Sequence, residues 1–78
     1  MSFLAHAYLI ERYGLRLSLD DLGRELSMTP GAIRNQISEG RFPIPTYLDQ
    51  GRRWADHRDV AEHLDRMRAQ AKSSATLA

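Results

Sequence analysis

The sequence predicts one mostly α-helical domain with a small β-hairpin, and three observations support this prediction. Good helix N-cap residues stand at Ser18, Thr29 and Asp56. Apolar residues follow each cap at the spacing of one helix face. Between the last two of these helices lies a β-prone run with a glycine-containing turn. The length of 78 residues fits a single domain.

The first capped helix is expected over residues 19–26. Ser18 and Asp21 have the spacing of a capping box, with Asp in place of the usual Glu or Gln. Leu22 and Leu26 lie four residues apart and share one face. Gly23 costs up to about 1 kcal/mol relative to Ala inside a helix. We therefore expect another helix to cross closely at Gly23.

The second capped helix is expected over residues 30–39, after a three-residue turn. Thr29 caps it, and a proline follows at the first helical position, where the missing N–H has no cost. Ile33 and Ile37 form its buried pair, and Gly40 ends it in the position that favours positive φ. A helix this short requires tertiary packing to be stable.

The hairpin is expected over residues 46–54. The prolines within 42–45 keep that link extended, and Phe42 is the expected core residue there. Residues 49–51 form the turn, because glycine accepts positive φ. The alternating run 15–18 is expected to pair with the hairpin as a short strand. Two helices, a tight turn and a β-hairpin predict a winged helix-turn-helix.

Two further helices flank this unit. In residues 3–13, eight of eleven residues are apolar or aromatic, which is more than one buried face needs. This helix either packs on the domain to enlarge its core or leaves one side open for a partner or a second copy. The last helix is expected over 57–71, with Val60, Leu64 and Met67 as its stripe. The domain would then span 1–72.

The remaining residues, 73–78, are small and polar for the most part and are expected to form a flexible tail.

Composition argues against several kinds of protein. The chain has no cysteine, so disulfides and thiolate metal sites are excluded. It has no apolar run of membrane-spanning length and no signal-peptide pattern, which predicts a cytoplasmic protein without a membrane partner. Its three histidines lack metal-binding spacing, and no nucleophile or phosphate-loop motif is present. We therefore expect neither an enzyme nor a cofactor or metal.

The net charge is only +1, although ten of the eleven basic residues are arginines. DNA contact depends on where those arginines lie, and a low net charge predicts modest affinity for each monomer. An ordinary solvated mixture of charges is the alternative interpretation.

Three motifs resemble a known family. The first is Leu-Asp-Asp-Leu-Gly-Arg-Glu-Leu-Ser-Met-Thr-Pro-Gly-Ala-Ile-Arg-Asn at 19–35, the second is Glu-Gly-Arg-Phe-Pro-Ile-Pro at 39–45, and the third is Gly-Arg-Arg-Trp at 51–54. Together they resemble the AlpA/excisionase group of small phage and prophage DNA-binding proteins, in the wider MerR-like winged-helix class. In that family the aromatic residue after the wing lies about five residues before the first apolar position of the last helix, whereas Trp54 precedes Val60 by six. Either the last helix starts one residue later and Trp54 keeps the core position, or Ala55 takes that position and Trp54 is turned elsewhere.

The resemblance and the helix-turn-helix pattern imply double-stranded DNA as the partner. The second helix would enter the major groove, where Arg34 suits guanine and Asn35 suits adenine. The hairpin arginines, Arg52 and Arg53, would contact the DNA backbone or the minor groove. The alternative interpretation is that they are solvated or pair with Asp49 and Asp56. The full set of expected DNA-binding residues is Thr29, Pro30, Gly31, Arg34, Asn35, Ser38, Arg41, Gln50, Arg52 and Arg53.

The resemblance also implies several copies on repeated DNA sites and an integrase, or another phage or host protein, as a further partner. Two roles then remain open: an excisionase that bends attachment-site DNA, and a transcriptional regulator of phage or prophage genes. A different hypothesis is a protein-binding adaptor that uses the apolar helix 3–13 to modulate a host or phage factor.

Overall fold

The computed structural model describes residues 3–77, with side chains through Ser74. Within that range the chain is mostly helical with one small antiparallel sheet, as the sequence predicts. The helices are α1 (Phe3–Tyr13), α2 (Leu19–Leu26), α3 (Pro30–Ser38) and α4 (His57–Leu77). The strands are β1 (Arg16–Ser18), β2 (Tyr47–Asp49) and β3 (Arg52–Asp56). Residues 1 and 2 of the expected domain, and Ala78 of the expected tail, lie outside the described residues.

The sheet has the strand order β1-β3-β2. The short strand expected at 15–18 is present and pairs with β3, so that Ser18 lies opposite Trp54. Strands β2 and β3 form the hairpin, whose return strand extends to Asp56 rather than ending at 54. At the turn, Gln50 and Gly51 both have positive φ, of 53° and 81°. This combination matches the right-handed twist of two-residue hairpins.

Helices α2 and α3 begin at the expected caps. Ser18 Oγ accepts a hydrogen bond from the backbone N–H of Asp21. The Asp21 carboxylate accepts a hydrogen bond from the backbone N–H of Ser18, which completes the capping box. Thr29 Oγ1 accepts the Ala32 amide at 3.1 Å. Helix α3 ends one residue earlier than expected, with Glu39 as its C-cap. These local hydrogen bonds fix where both helices start, and therefore how the turn between them is set.

Gly23 allows a close approach, but the backbone that comes nearest belongs to the turn, and α3 comes nearest through Pro30 Cδ, at 3.7 Å from the added Cβ. A Cβ added to Gly23 would lie 2.5 Å from the backbone oxygen of Met28, in the turn between α2 and α3. The Met28 amide in turn donates to the Gly23 carbonyl at 2.9 Å. The turn thus folds back on the helix that precedes it, so the expectation that the close backbone at Gly23 belongs to another helix is wrong.

The core lies between the sheet and the four helices. Its buried residues come from every element except β2, and include Ile44 in the extended link: Leu9, Leu17, Leu19, Leu22, Ile33, Ile44, Ala55, Val60 and Ala61. Ile44, rather than Phe42, is the buried residue of the link, and Phe42 only packs partly against the core. Ala55 fills the core position after the hairpin. Trp54 lies on the opposite face of the sheet, because neighbouring residues of a strand point to opposite sides.

Helix α1 both packs on the domain and leaves a face open. Leu9 is fully buried, and the hydroxyl group of Tyr13 donates to Glu25 of α2 at 2.8 Å. In contrast, Phe3 is 82% exposed and Leu4 is 77% exposed. The two interpretations of this helix therefore describe two sides of the same element.

Helix α4 is longer than the expected 57–71 and continues to Leu77, so the backbone expected to be a flexible tail is helical. The expected apolar stripe of α4 packs on the core only in the first part of the helix. Val60 is buried and Leu64 packs partly on the core, but Met67 is 51% exposed. The second half of the helix therefore extends past the domain.

Candidate functional site

The described residues form an open groove of about 620 Å³. It lies between α3, the start of α2 and the tip of the hairpin. Its lining residues are Ser18, Leu19, Asp20, Arg34, Ile37, Ser38, Gly51, Arg52 and Arg53. Four of the expected site residues, Arg34, Ser38, Arg52 and Arg53, therefore share one surface although they are distant in sequence.

One wall of the groove includes Arg34 and Ser38, which lie on the open face of α3. Gly31, Arg34, Asn35 and Ser38 are all exposed, and their spacing of i, i+3, i+4 and i+7 places them along one side of the helix. Ile33 is buried on the other side. Burial of Ile33 therefore turns these four polar or small residues outward, as the sequence predicts.

Positive charge in the groove is largely uncompensated. Among the described residues, the side chains of Arg34 and Arg52 have neither a hydrogen bond nor an ion pair. Arg53 donates to the neutral hydroxyl group of Thr46 at 3.1 Å and keeps its charge unpaired. The only carboxylate lining the groove is that of Asp20. A surface lined by three arginines and one carboxylate suits an anionic ligand.

The hairpin carboxylates are bound to arginines outside the groove. Asp49 accepts from Arg16 at 2.7 Å, and the guanidinium carbon of Arg16 lies 3.8 Å from the centre of the Trp54 ring. Asp56 accepts from Arg58 through both carboxylate oxygens, at 2.9 and 3.0 Å. Pairing of Arg52 and Arg53 with Asp49 and Asp56, the alternative considered from the sequence, is therefore absent.

The ion pair between Asp56 and Arg58, at the start of α4, shifts the pKa of Asp56. Hydrogen bonds from the Arg58 side chain and backbone lower the pKa of Asp56 to about 2, against the opposing effect of burial. The Arg58 amide also donates to Asp56, so this carboxylate caps α4 as expected. The Asp56 carboxylate therefore already binds the Arg58 side chain and caps the first turn of α4.

The other expected DNA-binding residues lie outside the groove lining. Thr29 is exposed but its hydroxyl group is used in the helix cap, and Arg41 is paired with Glu39 at 2.8 Å. Gln50 is exposed at the tip of the hairpin. Pro30, Gly31 and Asn35 belong to α3 without lining the groove.

Sequence reasoning missed five lining residues: Ser18, Leu19, Asp20, Ile37 and Gly51. The pairing of Ser18 with Trp54 places the start of α2 beside the hairpin. The expected pairing of residues 15–18 with the hairpin was the signal that could have identified this third wall. Ile37 was assigned to the core, but it is only half-buried and adds an apolar side chain to the groove lining.

A smaller pocket of about 290 Å³ continues from the groove toward the extended link, and both cavities share Ile37 and Arg53.

Two other kinds of site are absent from the described part of the chain. Residues 3–77 contain no cluster of three or more His, Asp or Glu side chains placed to hold a metal ion. No helix in that range combines the length and the apolar character required to cross a membrane.

Comparisons of the chain with protein-family models, with curated proteins and with solved structures gave no significant match.

Proposed function

We propose that the chain is a sequence-specific DNA-binding protein in which α2, α3 and the hairpin act as a helix-turn-helix and its wing. The observation that carries this proposal is the groove itself. It brings Arg34 of α3 together with Arg52 and Arg53 of the hairpin, and two of these guanidinium groups have no partner among the described residues. Double-stranded DNA presents the closely spaced negative charges that such a surface neutralises.

In this proposal α3 is the recognition helix. Its exposed face is free of large side chains except at Arg34, so the helix can approach the floor of a major groove. The guanidinium group of Arg34 matches O6 and N7 of guanine, and the amide of Asn35 matches N6 and N7 of adenine. Ser38 then contacts a phosphate or a base, and the exposed Gly31 leaves room for the DNA backbone.

The hairpin supplies the second set of contacts. Arg52 and Arg53 hold the neighbouring phosphates or enter the minor groove, while Gln50 lies at the tip. These contacts position the protein, whereas the α3 contacts select the sequence. The chain buries little DNA as a monomer, so useful specificity requires several copies on repeated sites.

The biological role that we propose is that of a phage or prophage regulator in the cytoplasm. By resemblance it acts as an excisionase with an integrase, as a transcriptional regulator, or as both.

The proposal is tested by a salt-dependent DNA titration of the wild type, Arg34→Ala and Arg68→Ala, with duplexes from the flanking genomic region. Arg68 is the matched control, because it is an exposed, unpaired arginine of the described residues that does not line the groove. We expect Arg34→Ala to weaken binding to the preferred site by about 1–3 kcal/mol. Arg68→Ala should change binding much less.

Equal losses in the two variants would mean that only general positive charge matters. Failure of the wild type to bind any duplex at low salt would reject the DNA proposal.

A second candidate function is a protein-binding adaptor. The observation that favours it is the exposed apolar face of α1, where Phe3, Leu4, Tyr8 and Ile10 are between 42% and 82% exposed. In this case Leu4→Ser would abolish partner binding, whereas Arg34→Ala would leave it unchanged. The two candidates therefore predict opposite responses to the same pair of variants.

A further inference from the structure

The register of the sheet places two pairs of opposite charges directly across from each other. Arg16 lies opposite Asp56 in the β1–β3 pair, and Asp49 lies opposite Arg52 in the β2–β3 pair. Facing side chains of an antiparallel pair have Cβ atoms about 4.5–5.5 Å apart, and opposite charges there normally attract. The register alone therefore predicts two ion pairs, Arg16–Asp56 and Arg52–Asp49.

Neither of these pairs is present. Arg16 instead reaches diagonally across the sheet, over the Trp54 ring, and binds Asp49 at 2.7 Å. Asp56 is occupied by Arg58, which binds it through two side-chain nitrogens and its backbone amide. Asp49 and Asp56 thus each bind an arginine other than the one that faces them in the sheet. Of the arginines that face or bind these two carboxylates, Arg52 is the one whose side chain has no partner among the described residues.

Stacking explains why Arg16 takes the diagonal path. Its guanidinium group lies 3.8 Å from the centre of the indole ring, well within the range of a cation–π contact. From this position the group points along the face of Trp54 toward Asp49. Trp54 thus acts as the platform that directs Arg16 away from Asp56 and onto Asp49.

We infer that Arg16 is a positioning residue that holds Asp49 away from Arg52 and so keeps Arg52 available for an anionic ligand. This inference rests on the proposed function, because the ligand of Arg52 is taken to be a DNA phosphate. Without Arg16, Asp49 turns to the facing Arg52 and neutralises one of the three arginines of the groove. Arg16 itself touches no ligand.

The alternative role for Arg16 is simple anchoring of the hairpin, and the Asp49→Asn variant separates the two. Arg16→Gln and Asp49→Asn both remove the same ion pair, so anchoring predicts that both weaken DNA binding equally. Sequestration of Asp49 predicts a different pattern: Arg16→Gln weakens binding, Asp49→Asn alone leaves it intact, and the double variant Arg16→Gln/Asp49→Asn restores it.

The first experiment measures the salt dependence of binding to a duplex for these four proteins, with folding checked by circular dichroism. Loss of one phosphate contact lowers the slope of log K against log salt by about 1. We expect this drop in Arg16→Gln only. A drop in Asp49→Asn as large as that in Arg16→Gln, or no recovery in the double variant, would overturn the inference.

A second readout needs no DNA. In ¹⁵N NMR spectra of the free proteins, the Arg52 Nε–Hε resonance should shift in Arg16→Gln and return to its wild-type position in the double variant. An unchanged resonance in Arg16→Gln would overturn the inference. If the wild type binds no duplex, the proposed function fails, but this resonance still shows whether Arg16 keeps Asp49 from Arg52.

Discussion

Gly23 and Gly31 lie in consecutive helices but in opposite surroundings. A Cβ on Gly23 would collide with the Met28 backbone oxygen at 2.5 Å, and a backbone atom cannot move aside as a flexible side chain can. A Cβ on Gly31 would meet no atom within 4 Å. The same substitution should therefore have opposite effects on stability at the two positions.

We expect Gly23→Ala to lower the free energy of unfolding by about 1–3 kcal/mol, because the turn after α2 must shift. Gly31→Ala should raise it by up to about 1 kcal/mol, since alanine is the better helix former. Urea unfolding of both variants measures these changes. Equal effects would mean that the turn does not pack on Gly23.

Asp56 contributes stability only where it is ionised. Its pKa is lowered to about 2 by Arg58, so the pair contributes fully above the ordinary carboxyl value of 3.8. The contribution is lost as the pH falls through about 2. Because the side chain is 28% exposed, solvent screening limits the effect to about 1–2 kcal/mol.

Asp56→Asn should accordingly be less stable than the wild type at pH 6, and the difference should shrink toward zero near pH 2. Asparagine remains a good helix cap, so the variant isolates the ion pair. Arg58→Gln should show the same pH dependence. A difference that stays constant from pH 6 to pH 2 would contradict this assignment, and urea unfolding at several pH values measures it.

For the helices and strands, the local signals in the sequence were the most informative. The caps at Ser18 and Thr29 depend on residues three positions away, so they can be recognised from sequence alone. The groove as a whole was not predicted, although the pairing of residues 15–18 with the hairpin was expected, because the sequence pattern does not give the register of that pairing. The Arg16–Asp49 pair spans 33 positions and depends on the same pairing.

The sequence pattern did not predict the full length of α4, which continues to Leu77. The small polar residues after Lys72 indicated a frayed end, but helix continuation needs only compatible backbone geometry and no buried stripe. From Arg66 to Ser74 every residue is exposed. This segment is therefore stabilised by the helix itself and by pairs such as Arg66–Glu62, at 3.2 Å, rather than by the core.

We expect Ala69→Pro to disrupt this exposed segment without affecting the rest of the domain. Proline removes a backbone donor and breaks helices from within, so the helical circular dichroism signal should fall. The melting temperature of the core should change by less than about 2 °C, because Ala69 makes no buried contact. A large drop in melting temperature would show that the segment stabilises the domain.

The protein is elongated, with extents of 44 × 29 × 17 Å. The 21 residues of α4 span about 31 Å and account for much of the long axis. Two surfaces stand out: the groove with its uncompensated arginines, and the apolar face of α1. The choice between a DNA-binding protein and an adaptor is the choice between these two surfaces.

The most direct test of that choice is an NMR titration of the ¹⁵N-labelled protein with a short DNA duplex at low salt. Binding in the groove predicts that the largest amide shifts fall in α3, at the start of α2 and at Gly51, Arg52 and Arg53. The amides of α1 should remain in place. Largest shifts along α1, or no shifts at low salt, would contradict the proposal that the groove is the site of DNA binding.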